Sequence, residues 1–165
     1  MLPDGVYPIV AVDGMLGKIA KKLRIFGFDV IYLANTDDNA IIKTCLDEKR
    51  VFLTKDRELY KRFRKANITC LLINSENELE SLVAIMKEYN VGYVLHVPNE
   101  HTRCTLCNGA LETVSNILPL ADVVPKKVFG SIDMFAKCLK CQKIYWSGKH
   151  TKEINCLVDE INKKL

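Results

Sequence analysis

Residues 9–30 read IVAVDGMLGKIAKKLRIFGFDV. Ile9 to Val12 form a short apolar run after Pro8, the signature of a buried strand that ends at Asp13. Gly14 opens a helical pattern in which Leu16, Ile19, Ala20, Leu23 and Phe26 recur at spacings of three and four. Lys18, Lys21, Lys22 and Arg24 lie off that apolar face, and Gly27 is a helix stop. Val30 to Leu33 begin the next strand. The stretch is one strand–helix–strand unit with an aspartate at the first strand's carboxyl end.

The unit repeats outward. Asn35, Thr36 and Asp37 are capping types before a helix carrying Ala40, Ile41, Cys45 and Leu46. Val51 to Leu53 form a third strand that runs into Thr54-Lys55-Asp56. A helix with Leu59, Tyr60 and Phe63 apolar and Arg57, Lys61, Arg62, Arg64 and Lys65 basic follows. Cys70 to Ile73 are a fourth strand. Ser75 with Glu78 forms a capping box for a helix that runs to about Tyr89. Such alternation predicts an α/β fold with a parallel, Rossmann-like sheet flanked by helices. Ligands of such sheets bind at the carboxyl ends of strands, where Asp13 and Asp56 fall.

His96 to Glu100 form a polar, proline-containing linker, so the expected domains are 1–95 and 96–165. Beyond the linker, Cys104-Thr-Leu-Cys107 and Cys138-Leu-Lys-Cys141 are two knuckles separated by residues 108–137. A CxxC places two sulfurs on one tight turn, and two such turns close a tetrahedral shell around Zn2+. A thioredoxin-type CxxC would be single and would open a helix, so the doublet predicts a small structural zinc ribbon. Ile154, Leu157, Val158 and Ile161 recur at helical spacing and predict a terminal helix.

Composition narrows the class. The chain has 165 residues, 48% hydrophobic, enough for a packed core. Seven cysteines, an odd number, argue against a complete disulfide framework and for a reducing compartment. Cys45, Cys70 and Cys156 fall on apolar positions and read as buried small hydrophobes. No apolar run approaches the ~20 residues of a membrane helix. The amino-terminal residues lack a signal-peptide pattern, so a cytoplasmic location is expected. A net charge of +4 is compatible with nucleic acid.

Asp13, Asp37-Asp38 and Asp56 sit at strand ends and a helix start, where three carboxylates can converge on a hard cation such as Mg2+ or Mn2+. On spacing alone, helix capping explains each of them more simply.

Two segments, VDGMLGKIAKKLRIFGFDV (12–30) and FLTKDREL (52–59), resemble the Mut-seven C-terminal ribonuclease family, a PIN-like domain followed by a zinc ribbon. RCTLCNG (103–109) and YWSGKH (145–150) extend the resemblance over nearly the whole chain. It implies a metal-dependent endoribonuclease of RNA processing or decay. Asp13, Asp38 and Asp56 would hold Mg2+ or Mn2+, with Asp37 the alternative middle acid and Thr54 orienting Asp56. Asp47 and Glu58 are candidates, by type, for a fourth acid. Lys18, Lys22, Arg24, Lys55 and Arg57 would contact RNA, and Cys104, Cys107, Cys138 and Cys141 would hold zinc. The implied partner is single-stranded RNA, with a ribosome or other ribonucleoprotein beyond it. The competing reading is a catalytically weak RNA- or ribosome-binding protein on the same fold. Trp146 and His150 are expected to pack the small ribbon, with base stacking as the alternative.

Overall fold

The computed structural model describes residues 7–115, 117–120, 122–126, 132 and 134–165. The first half alternates β1 (Val10–Asp13), a 3-10 turn (Gly14–Leu16), α1 (Gly17–Ile25), β2 (Val30–Leu33), α2 (Asp38–Glu48), β3 (Val51–Thr54), α3 (Arg57–Lys65), β4 (Cys70–Leu72) and α4 (Glu78–Glu88). The four strands form one parallel sheet in the order β2-β1-β3-β4.

Strand side chains alternate between faces, and both faces are covered. Val10, Val12 and Leu53 join Leu16, Ile19, Leu23, Leu82, Ile85 and Met86 from the α1 and α4 side. Ala11 and Phe52 point the other way, into a cluster with Ile41, Cys45 and Phe63 from α2 and α3. There the Phe52 and Phe63 rings stack at 4.1 Å. The apolar runs in β1 and β3 therefore reflect burial on two sides.

Local details depart from the sequence expectation at two helix starts. The turn after Asp13 is 3-10 before it becomes α1, because the Asp13 carboxylate accepts from the Met15 amide and tightens the first turn. Helix α4 starts at Glu78 under an Asn77 cap that accepts from the Glu80 amide at 3.1 Å. The Ser75 hydroxyl lies one step back, accepting from the Asn77 amide at 3.0 Å.

The second half holds an antiparallel sheet, β5 (Leu111–Thr113), β6 (Phe135–Cys138) and β7 (Ile144–Trp146), in that order. Leu120, Val124 and Phe135 form its small core. Helix α5 (Lys149–Asn162) follows. The domain expectation grouped this helix with the ribbon. Its Val158 and Ile161, however, are fully buried in the cluster that covers the first sheet.

Two asparagines of α5 hold the linker as a strand would. The Asn162 amide accepts from Val94 N–H and donates to Val94 C=O, both at 2.9 Å. One turn pair earlier, the Asn155 amide accepts from Val97 N–H at 2.8 Å and donates to Val97 C=O at 2.9 Å.

Candidate functional site

The carboxyl edge of the sheet carries the acids. Asp13 ends β1 and Thr54 ends the neighbouring β3, because Val12 and Leu53 are in register. Asp13 is only 5% exposed. Its carboxylate accepts from the Met15 amide and from the Thr54 hydroxyl. The same Thr54 oxygen accepts from the Asp56 amide at 2.9 Å. Thr54 thus orients the Asp13 side chain and reaches Asp56, which it was expected to orient, through the Asp56 backbone amide.

Asp56 caps α3, accepting from the Glu58 and Leu59 amides at 2.8 and 2.9 Å. Asp37 caps α2, accepting from Asn39 and Ala40 at 3.0 and 3.1 Å. Asp38, beside it, accepts from the Arg62 guanidinium at 2.6 Å. Asp38 and Asp56 line one open concavity of about 430 Å3 with Glu58, Lys61, Arg62 and Lys65. Carboxylate oxygens suit Mg2+ or Mn2+ in kind. Asp13 does not line the concavity, and among the described residues the three acids do not form a group able to share an ion. The arrangement therefore does not fit a three-acid metal cage.

The cations divide. Arg57, Lys61, Arg62, Arg64 and Lys65 are exposed along α3, with Lys61 paired to Glu58 and Arg62 to Asp38. Lys18 is exposed; Lys22 lies 3.7 Å from Glu78, and Lys55 lies 2.7 Å from Glu76. Arg24 corrects the expectation of a phosphate contact. It is 7% exposed and donates to the carbonyls of Val30 at 3.0 Å, Thr105 at 2.9 Å and Leu106 at 3.2 Å. Burial lowers its pKa, with Cys104, Cys107 and Asp29 pulling the other way. Its charge is spent on holding the first knuckle against α1 and β2.

The second centre is the cysteine cluster. The Sγ atoms of Cys104, Cys107, Cys138 and Cys141 all lie within 4.8 Å of one another. Cys104 is 3.6 Å from Cys141 and Cys107 is 3.5 Å from Cys138. A tetrahedral ion with ~2.3 Å bonds spaces its sulfurs by roughly 3.8 Å, so the four fit Zn2+. Four thiolates leave no open position, which makes the site structural. The two knuckles repeat one geometry. Asn108 and Gln142, each just after the second cysteine, have φ of 65° and 62°. Their amides donate to the carbonyls of Cys104 and Cys138 at 2.9 and 3.0 Å. A side chain at Gly109 would come within 2.9 Å of Cys138 Sγ, so only glycine lets the knuckles close.

Tyr145 supports the cluster: its hydroxyl lies 3.0 Å from Cys104 Sγ. Burial pushes the Cys104 thiol up, but hydrogen bonds from Tyr145, from the Cys107 and Leu106 amides and from Cys141 outweigh it and hold it below its usual value. That favours the thiolate a metal needs. Asn108 ties the knuckle to the sheet, accepting from Val30 N–H at 3.0 Å and donating to Asp29 at 3.1 Å. Sequence reasoning missed Arg24, Asn108 and Tyr145 as ties, because their partners lie far along the chain and leave no local signal.

Fold and site together define a parallel α/β protein with a tetra-cysteine zinc-binding ribbon. The chain belongs to the Mut7-C RNAse domain family, whose family model matches residues 9–158. The family's description gives it a ribonuclease-like character. No curated protein and no solved structure gives a significant match. Among the described residues, no helix is long and apolar enough to cross a membrane.

Proposed function

We propose that this chain is a ribonuclease that hydrolyses phosphodiester bonds of single-stranded RNA at the carboxyl edge of its first sheet. The observation that carries the reading is the concavity in which Asp38, Asp56 and Glu58 stand beside Lys61, Arg62 and Lys65. A phosphate entering it meets a basic helix face with acids next to it, the pairing that positions RNA and manages charge during hydrolysis. An incoming phosphate competes with Asp38 for Arg62 and with Glu58 for Lys61, which frees both carboxylates. Asp13 and Asp56, joined through Thr54, form the fixed part of the edge. RNA processing or decay in the cytoplasm is the setting this reading suggests.

A second reading has its own support. Asp37 and Asp56 act as helix caps and Asp38 sits in an ion pair, as they would in an RNA-binding protein without catalysis. Cleavage of labelled single-stranded RNA with Mn2+ or Mg2+, beside Asp56→Asn purified identically, separates the two. Cutting by the wild type alone supports the nuclease. RNA binding with no cutting by either protein moves the assignment to the binding protein.

A further inference from the structure

We infer that the crevice between the ribbon and α5 binds one unstacked base of single-stranded RNA, a recognition site separate from the acidic edge. The inference rests on the RNA-acting function proposed above.

The crevice holds about 100 Å3 and its walls are almost wholly apolar. Ile25, Val97, Pro98, Met134, Tyr145 and Trp146 contribute to them. That space is smaller than pockets for drug-sized ligands, roughly 300 Å3 upward, and suits one flat ring system. Trp146 stands opposite Phe135 across the β6–β7 pair yet is not buried with it. The ribbon's core is Leu120, Val124 and Phe135, and Trp146 stays 40% exposed, which corrects the expectation that it packs the ribbon. His150 is also exposed and packs nothing in that core. An exposed indole beside an apolar slot is a stacking platform for a base.

Charge selects the occupant. From Ala136 to Lys152 the chain carries Lys137, Lys140, Lys143, Lys149 and Lys152 and no aspartate or glutamate, and Glu153, next in line, pairs with Lys149 at 3.8 Å, which leaves an excess of positive charge. Arg103, Thr102, Ser147 and Thr151 also line the crevice. A base attached to a polyanion fits both the apolar slot and its basic surroundings; an apolar side chain of a protein partner fits only the slot.

Position adds a length requirement. Helix α1 leaves the acidic edge just after Asp13, and its last residue, Ile25, lines the crevice. The nine-residue helix spans about 14 Å, so the two sites lie at opposite ends of it. One RNA strand touches both only if several nucleotides bridge them.

Trp146 is the single tryptophan, so its emission reports on the crevice directly. The zinc-loaded full chain is titrated with single-stranded oligoadenylate and with duplex RNA. Affinity is followed in parallel by anisotropy of labelled RNA. Single-stranded RNA is expected to quench the emission. Trp146→Ala should weaken binding about 5- to 100-fold, with Trp146→Phe restoring most of it. Ala136→Leu, which fills the slot with Trp146 in place, should weaken binding and abolish quenching. Wild-type emission unchanged by single-stranded RNA overturns the inference, as does unchanged affinity in Trp146→Ala and Ala136→Leu, or equal quenching by duplex. Asp56→Asn keeps the quenching in either case, so failure of the nuclease assignment and failure of the crevice are read separately.

Discussion

The Thr54 hydroxyl donates to the Asp13 carboxylate while accepting from the Asp56 amide, so one side chain joins the acid that ends β1 to the acid that caps α3. Thr54 is fully buried and Asp13 nearly so. Thr54→Val should leave the carboxylate short of a donor and cost about 1–3 kcal/mol in urea unfolding. Thr54→Ser, which keeps the hydroxyl, should stay close to wild type. Equal stability of all three proteins would remove the role assigned to this bridge.

Arg24 carries a prediction that separates structure from RNA contact. Arg24→Met leaves three carbonyls without their cation and should cost about 2–3 kcal/mol. Arg24→Lys should not rescue it, because an ammonium cannot reproduce the planar fork. Thermal unfolding checks the stability, and anisotropy with RNA should show little direct loss once unfolding is corrected for. An affinity loss with unchanged stability would restore the phosphate contact.

Metal removal should act beyond the ribbon. The first knuckle is tied to β2 and α1 by Asn108 and Arg24. Chelation, or Cys104→Ser, should therefore release about one Zn2+ per chain and lower the melting temperature of the whole protein. Atomic absorption gives the stoichiometry and calorimetry the shift. A zinc-free protein with an unchanged melt would sink the structural role.

Two thiols set an alkaline limit. Burial pushes Cys45 up to about 11 and Cys70 up to about 12, from the usual 9.0. Above pH 9 the unfolded chain loses these protons first, so it holds fewer than the folded chain. Stability is then complete below pH 9 and falls as pH rises through 11 and 12. Cys45→Ala with Cys70→Ala should flatten that decline in chemical unfolding at pH 8 to 10.5. Cys156, expected to be buried with them, is exposed, so at pH 8 alkylation of the folded protein should reach it long before either.

The sheet was legible because each strand has a full apolar run and each helix a period near 3.6 with a cap such as Asp37 or Gly27. The cysteine spacing likewise carried the four-sulfur cluster. Arg24 was misread because sequence position shows it off the apolar face of α1, while its partners, Thr105 and Leu106, lie on a knuckle that arrives only after folding. Trp146 was misread for a related reason: composition says a small ribbon needs aromatic filling, but Phe135 already supplies it. The acids fell where the strand ends predicted, yet their hydrogen bonds depend on neighbours such as Arg62 that spacing does not reveal.

The asparagine pairing of α5 with Val94 and Val97 changes what kind of object the ribbon is. The chain leaves the first sheet's core at Val97, builds the ribbon, and returns to that core at Val158 and Ile161. The ribbon is thus an excursion with both ends anchored to one body, as in an inserted domain. A module tethered at one end can swing toward a distant substrate; this one is held like a handle. Under the function proposed above, RNA bound at the ribbon would stand at a set distance and angle from the acidic edge.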